Sequence, residues 1–271
     1  ALEGDIDTSH FGFLHVGSVD PNDVDPTNIH RFSVINKQPE YYMAETDWGT
    51  MYTAYRPAEP GNVYHRFAHF MFPFFTTMPD GSFEDNIQAA AYVPMDDTHT
   101  MVFWMNWTGR SPALRNDKHG KPLPGFEAYA QPYLPNTTDW FGRWRPAGNM
   151  ENDYLIDRNL QETASYSGLL GVITQDQAVT ESMGGIVDRM HEHLAPSDRM
   201  ITLTRRRLIM AAKALQIEKI TPPGVDNPDC YRGARAGSFV APEGLGWLDL
   251  YSEKLNQALR ATGPGFVQAA E

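Results

Sequence analysis

The sequence predicts an α+β fold, an antiparallel sheet covered on one face by helices. Three observations carry that expectation. Aromatic and β-branched runs fill residues 41–108, with turn residues between them. Apolar residues at spacings of three and four fill the last third instead. With 271 residues, 41% of them apolar and 12% aromatic, the chain can bury a large core without staples. We read residues 1–271 as one domain.

Taken in chain order, residues 5–17 read as a short helix. Residues 18–40 are rich in Asp, Asn and Pro ("VDPNDVDPTNIH") and read as a loop. The runs "YYMAETDW", "TMYTAYR", "VYHRFAHFMFPFFTTM", "FEDNIQAAAYVPM" and "HTMVFWMNW" read as strands. Short turns such as Glu59-Pro-Gly-Asn and Pro79-Asp-Gly-Ser join them, which implies an antiparallel meander. Residues 109–150 read as irregular. Val179, Met183, Ile186 and Met190 share one stripe of a helix expected over 175–194, with Thr174 and Gln177 as its capping box. Ser197 is placed to cap a second helix, 198–215, whose stripe holds Ile201, Leu208 and Leu215. Pro222-Pro223 closes that region, and 246–261 forms a last helix. Strands followed by helices make the class α+β.

The bulk numbers exclude several functions. A net charge of −12 argues against a nucleic-acid partner, because phosphate binding needs a basic surface. One cysteine, Cys230, allows no internal disulfide and no cysteine-held zinc or iron–sulfur cluster within these residues. No run approaches the roughly 18 apolar residues of a membrane span, and no signal peptide is visible, so a cytoplasmic protein is expected. The chain starts at Ala1 and meets an unusual motif at once, which predicts further sequence upstream.

That motif is "EGDIDTSHFGFLH", residues 3–15. His10 and His15 are five apart, so on a regular helix their rings point about 140° away from each other. To share one metal ion the helix must bulge or end between them. Gly12 tolerates such a break, and π-bulges gather at functional sites. Asp7, three residues before His10, falls on the same helical face and is placed to accept the second imidazole proton of His10. The plain alternative is an acidic helix start with two partly buried histidines. A third ligand is sought in "TQDQAVTESMG", residues 174–184. Asp176 and Glu181 both qualify, and spacing does not choose between them.

Other residues carry less. His65 and His69 read as half-buried strand residues, with a cavity wall as the alternative, while Phe70, Phe72 and Phe74 read as core on the opposite face. Trp104 and Asn106 share one strand face, pocket or core. His191 and His193 point to different sides of the expected helix and do not form a ligand pair. Arg205, Arg206 and Arg207 cannot all face one way; some are solvated, and one is a candidate for pairing with acids at a subunit interface. An anionic substrate would call for a pocket arginine, which the sequence does not single out.

At this point the residues resemble a known family. "EGDIDTSHFGFLH" resembles the E-G-x-I-D-x-x-H-x-x-x-x-H signature of the Rieske non-haem iron aromatic-ring-hydroxylating oxygenases, phthalate dioxygenase branch. "TQDQAVTESMGGIVDRMHEHLAPSDRMITLTRRRL", "NDYLIDR" and "VPMDDTH" are similar to further segments of that branch. The resemblance runs from residue 3 to about residue 210, and its first two motifs are long and specific. It implies that His10, His15 and Asp176 hold a mononuclear ferrous ion, the facial triad that leaves positions open for dioxygen. It implies that Glu181 is not a ligand, and that Asp7 bridges a ligand histidine to a Rieske cluster of the neighbouring subunit. Gly4 stands where many relatives have Asn. The implied fold is helix-grip-like, a helix-covered antiparallel sheet around a deep cavity. The implied assembly is a trimer or stacked trimers. The implied reaction is hydroxylation or demethylation of an aromatic substrate, with an aromatic carboxylate expected, using O2 and electrons from NAD(P)H through a reductase or ferredoxin and the [2Fe-2S] Rieske cluster. With one cysteine in this chain, that cluster is expected upstream. Two other readings stay open: a zinc hydrolase on the same ligands, and a cavity module that binds an apolar ligand without catalysis.

Overall fold

The computed structural model describes residues 1–83, 86–108, 114–126 and 132–261. Its strands are β1 (Glu40–Glu45), β2 (Gly49–Pro57), β3 (Asn62–Met71), β4 (Phe75–Thr77), β5 (Asn86–Pro94), β6 (Thr100–Thr108) and β7 (Gly237–Pro242). Its α-helices are α1 (Leu2–Asp5), α2 (Arg31–Ile35), α3 (Arg158–Thr163), α4 (Val172–Glu181), α5 (Arg199–Glu218) and α6 (Trp247–Ala261). The chain divides into two compact units. The first holds Ala1, Ser9–Lys37 and Leu114–Glu192, and the second Leu2–Thr8, Gln38–Ala113 and His193–Glu271.

The second unit is the α+β body. All seven strands form one antiparallel sheet in the order β1-β2-β3-β4-β5-β6, with β7 on β3. Two features depart from the expected meander. The run at 63–78 breaks at Phe72–Phe74 into β3 and β4, since Pro73 has no N–H to give a ladder. The edge of β3 is then shared: Met71 pairs with Phe75 of β4, while His65 pairs with Phe239 of β7. No strand is expected at 237–242 from the sequence, where GSFVAP is short and framed by Gly and Pro.

Helices cover both faces of β2 and β3, not one. Alternation sends Met51 and Phe67 to one face, packed with Phe239, Leu250, Tyr251 and Ala258 of β7 and α6. It sends Tyr52, Ala54, Ala68 and Phe70 to the other, packed with Met200 of α5 and Ile6. That is why β2 reads as an almost continuous buried run. Phe70 and Phe72 are core as expected, and Phe74 is half-buried. Phe103, Trp104 and Met105 on the edge strand β6 are all exposed, so Trp104 is not a core residue, and Asn106 is exposed with it.

The helix boundaries correct several expectations. α4 starts at Val172 with Gly171 as its N-cap, so Thr174 lies inside it, buried, and makes no capping box with Gln177. α4 stops at Glu181, with Ser182 as its C-cap; Gly184 takes a left-handed φ of +93°, and the Gly184-Gly185 pair ends the helix far short of residue 194. Met183, Ile186 and Met190 therefore form no buried stripe and are exposed. The N-cap position of α5 is held by Asp198 rather than Ser197, with no side-chain capping bond, and the helix ends at Lys219 in the left-handed region, ahead of Pro222. Ile201 and Leu208 pack inward, whereas Leu215 is exposed. Arg205, Arg206 and Arg207 of α5 are used within their own chain. Arg205 binds Glu3, Arg206 binds Glu45, and Arg207 donates to the carbonyls of Thr46 and Gly49. The loop expected at 18–40 contains the short α2. Of the irregular stretch at 109–150, residues 109–113 and 127–131 lie outside the described residues, and the rest begins its first regular turn only at Met150. Among the described residues no helix is long and apolar enough to cross a membrane.

Candidate metal centre

The first unit carries the site. Helical backbone starts at Ser9 and becomes a π turn over Phe11–His15. The N–H of Val16 closes it onto the carbonyl of Phe11, five residues back, at 3.1 Å. A turn closed over five residues brings positions five apart onto one side, which an α-turn cannot do. His10 and His15 consequently face each other, ring centroids 5.0 Å apart and planes at 78°. The break expected at Gly12 is this π turn. Gly12 sits against the backbone of Lys37, where a Cβ would come within 3.1 Å of Lys37 Cα and O. Behind the turn, Val16, Val19, Val24, Val34, Leu114 and Leu123 form a buried cluster against which Phe11 packs.

α4 supplies the carboxylate. Asp176 Oδ1 lies 3.1 Å from His15 Nε2 and 3.5 Å from His10 Nε2. One ligand atom from each of the three residues lies within 4.8 Å of the others, and among the described residues no other cluster of three or more His, Cys, Asp or Glu side chains converges this way. Glu181, one and a half turns further on, does not join. It accepts from Gln177 Nε2 at 3.1 Å and faces Tyr154, whose hydroxyl is pushed up to about 12 by burial and then by Glu181. The structure thus separates the two carboxylates that spacing left equivalent.

His15 is held from both ends. Its Nδ1 lies 2.7 Å from Gln175 Oε1. The Gln175 amide nitrogen donates to the carbonyls of Leu169 (2.9 Å) and Gly125 (3.5 Å), so its oxygen is the face left for His15. His15 therefore donates from Nδ1, and its Nε2 faces Asp176. The sequence reading passed over Gln175; the only signal was its place beside Asp176 in "TQDQ".

Residues 7 and 8 lie outside any helix, and Asp7 donates its N–H to Gly4 O at 3.1 Å. Asp7 groups with the second unit. His65 and His69 are not half-buried but fully inside the sheet body. Trp48 Nε1 donates to His69 Nδ1, and His69 Nε2 donates to the carbonyl of Arg235. Burial holds both histidines down to about 4. His191 lies in a single 3-10 turn beside Asp188, and neither it nor His193 joins a metal-type cluster.

The donor set fits a divalent metal ion. Two imidazole nitrogens and one carboxylate oxygen on adjacent corners of an octahedron with bonds of ~2.1 Å would stand about 3 Å apart, close to the observed 3.1 and 3.5 Å. The His15 side chain is 2% exposed, while those of His10 and Asp176 are 27% and 38% exposed, so the group is anchored on one side and open on the other.

Residues 1–232 match the family described as LigXa C-terminal domain like. The chain is 45% identical over 263 residues, 96% of its length and 60% of the relative's, to the 3-chlorobenzoate-3,4-dioxygenase oxygenase subunit of Comamonas testosteroni. It is 28% identical over 226 residues, 79% of its length and 48% of the relative's, to the phthalate 4,5-dioxygenase oxygenase subunit of Pseudomonas putida. It therefore spans about half to three fifths of the length of these curated relatives.

Proposed function

Since the chain belongs to the LigXa C-terminal domain-like family, we propose that residues 1–271 are the catalytic domain of a Rieske-type terminal oxygenase that uses O2 to hydroxylate or demethylate an aromatic carboxylate. The observation that carries this reading is the single carboxylate, Asp176, set against the Nε2 atoms of both His10 and His15. Two histidines and one carboxylate on one face are the donor set of non-haem ferrous oxygenases. Ferrous iron, when bound, supplies open coordination positions at which dioxygen is activated.

The chain's own residues do the rest. His10 and His15 offer neutral nitrogen donors. Asp176 adds one negative charge and offsets part of the ion's. His15, buried, anchors the group, and the exposed side beside His10 and Asp176 admits small molecules. Both relatives carry in their names an aromatic carboxylate, 3-chlorobenzoate or phthalate, which supports that substrate class here. With a single cysteine this chain cannot itself ligate a Rieske [2Fe-2S] cluster. Electrons reach it from such a cluster outside these residues, and before that from NAD(P)H through a reductase or ferredoxin. Asp7 is the residue we assign to that path, at the contact with a neighbouring subunit of a trimer or stacked trimers. Dependence on NAD(P)H places the protein in the cytoplasm.

Metal identity tests the reading. Protein produced with both iron and zinc available, and purified without oxygen, is expected to hold roughly one iron per chain and to bind nitric oxide, a dioxygen surrogate, with a ferrous-nitrosyl EPR signal that an added aromatic carboxylate perturbs. Zinc in place of iron would overturn it in favour of a hydrolase. No metal after ferrous loading would leave a binding module.

A further inference from the structure

Gln175 is 1% exposed, yet all of its polar atoms are engaged. Its oxygen lies 2.7 Å from His15 Nδ1, and its nitrogen donates to Leu169 O at 2.9 Å and Gly125 O at 3.5 Å. The surrounding loop is shaped to the amide. Gly125 has a left-handed φ of +87°, and a Cβ there would come within 2.7 Å of Gln175 Nε2. The Gly125 carbonyl also accepts the N–H of Gly171, the N-cap of α4, at 2.9 Å. One loop thus fixes both the start of α4 and the amide that leaves it. Gln175 and Asp176 are consecutive on that helix, and each meets one nitrogen of the same ring: Oε1 at Nδ1, Oδ1 at Nε2 at 3.1 Å.

We propose that Gln175 is the positioning residue of the metal centre: its amide fixes the Nδ1–H tautomer of His15 and aims Nε2 at the ion. The role rests on the triad reading above. A carboxamide with both hydrogens on carbonyls can only accept from His15, so Nδ1 carries a proton, the ring is held in one orientation, and Nε2 is the nitrogen left for the ion. A neutral amide does this without adding a second negative charge beside Asp176. Replacing the carboxamide by an alkyl side chain removes the acceptor and frees the ring to rotate and to carry its proton on Nε2, where it blocks the ion.

Two readouts test it. The first needs no metal. In the metal-free wild-type protein, long-range 1H–15N correlation of the His15 ring, assigned by its absence in His15→Ala, is expected to show the proton on Nδ1. Absence of a proton on Nδ1 overturns the proposal. The second is titration with cobalt(II), followed by its visible absorption, on wild type, Gln175→Leu, Gln175→Glu and Asp176→Ala. Gln175→Leu is expected to bind about 10–100-fold more weakly, the usual cost of a lost outer hydrogen bond, with an altered cobalt spectrum. Gln175→Glu, which keeps an acceptor at His15, is expected to restore both even where its thermal stability is lower. Wild-type affinity and spectrum in Gln175→Leu overturn the positioning role, as does failure of Gln175→Glu to recover either when folded. Absence of cobalt binding in wild type would instead overturn the triad reading, and the tautomer measurement would still decide on Gln175.

Discussion

The backbone N–H of Val16 donates to the carbonyl of Phe11 at 3.1 Å, five residues back rather than four. This one hydrogen bond accounts for the pairing of His10 with His15, and it depends on the chain passing close to Lys37 at Gly12.

Gly12→Ala is therefore expected to hurt twice. Its methyl would press on Lys37 Cα and O at 3.1 Å, which costs about 1–3 kcal/mol as overpacking, and relief by shifting the π turn would pull the histidines apart. Gly4→Ala is the control, because nothing lies within 4 Å of a Cβ there. Urea unfolding and metal titration of both variants check this: Gly12→Ala loses stability and affinity, Gly4→Ala neither.

His69 predicts the pH profile of the sheet body. Trp48 Nε1 donates to its Nδ1 at 3.2 Å, so an added proton would face a donor, and burial holds its folded value down to about 4. The unfolded chain takes the proton near pH 6.5. Stability from this group is therefore fully present above pH ~6.5 and lost as pH falls toward 4, at ~1.4 kcal/mol per pH unit. His65, also held to about 4 by burial, acts in the same sense. Urea midpoints at pH 7, 6 and 5 should fall steadily in wild type and less steeply in His69→Gln.

Thr50 and Thr204 tie β2 to α5. Their hydroxyls lie 2.7 Å apart and both residues are buried. Removing one leaves the other without its partner at a cost of about 1–3 kcal/mol, whereas removing both is milder than the sum. A double-mutant cycle with Thr50→Val and Thr204→Val, read by thermal unfolding, is expected to show this coupling.

The strands were legible from the sequence because aromatic and β-branched runs alternate with Gly, Pro and Asn turns, and β1–β6 fall where those patterns lie. β7 was not, since six residues framed by Gly and Pro carry little periodicity and pair with β3 across a long sequence gap. α4 was overextended because its apolar stripe continues past Gly184-Gly185, and the glycine pair was the stronger signal. At the site, the reading of His10 and His15 as a ligand pair rests on the resemblance of the motif; from spacing alone, the need for a bulge near Gly12 if they are to share an ion was readable. The choice of Asp176 over Glu181 was not, because a helix rotates successive residues by about 100° and the direction of α4 depends on packing distant in sequence. Gln175 escaped because a single glutamine has no pattern; only its burial and its three partners reveal it.

The central claim is that Asp176, not Glu181, completes the site with His10 and His15. Anaerobic titration of ferrous iron into wild type, Asp176→Ala and Glu181→Ala, with folding checked by circular dichroism, tests it most directly. The account predicts wild-type binding in Glu181→Ala and none in Asp176→Ala. Binding retained in Asp176→Ala, or lost in Glu181→Ala with the fold intact, would contradict it.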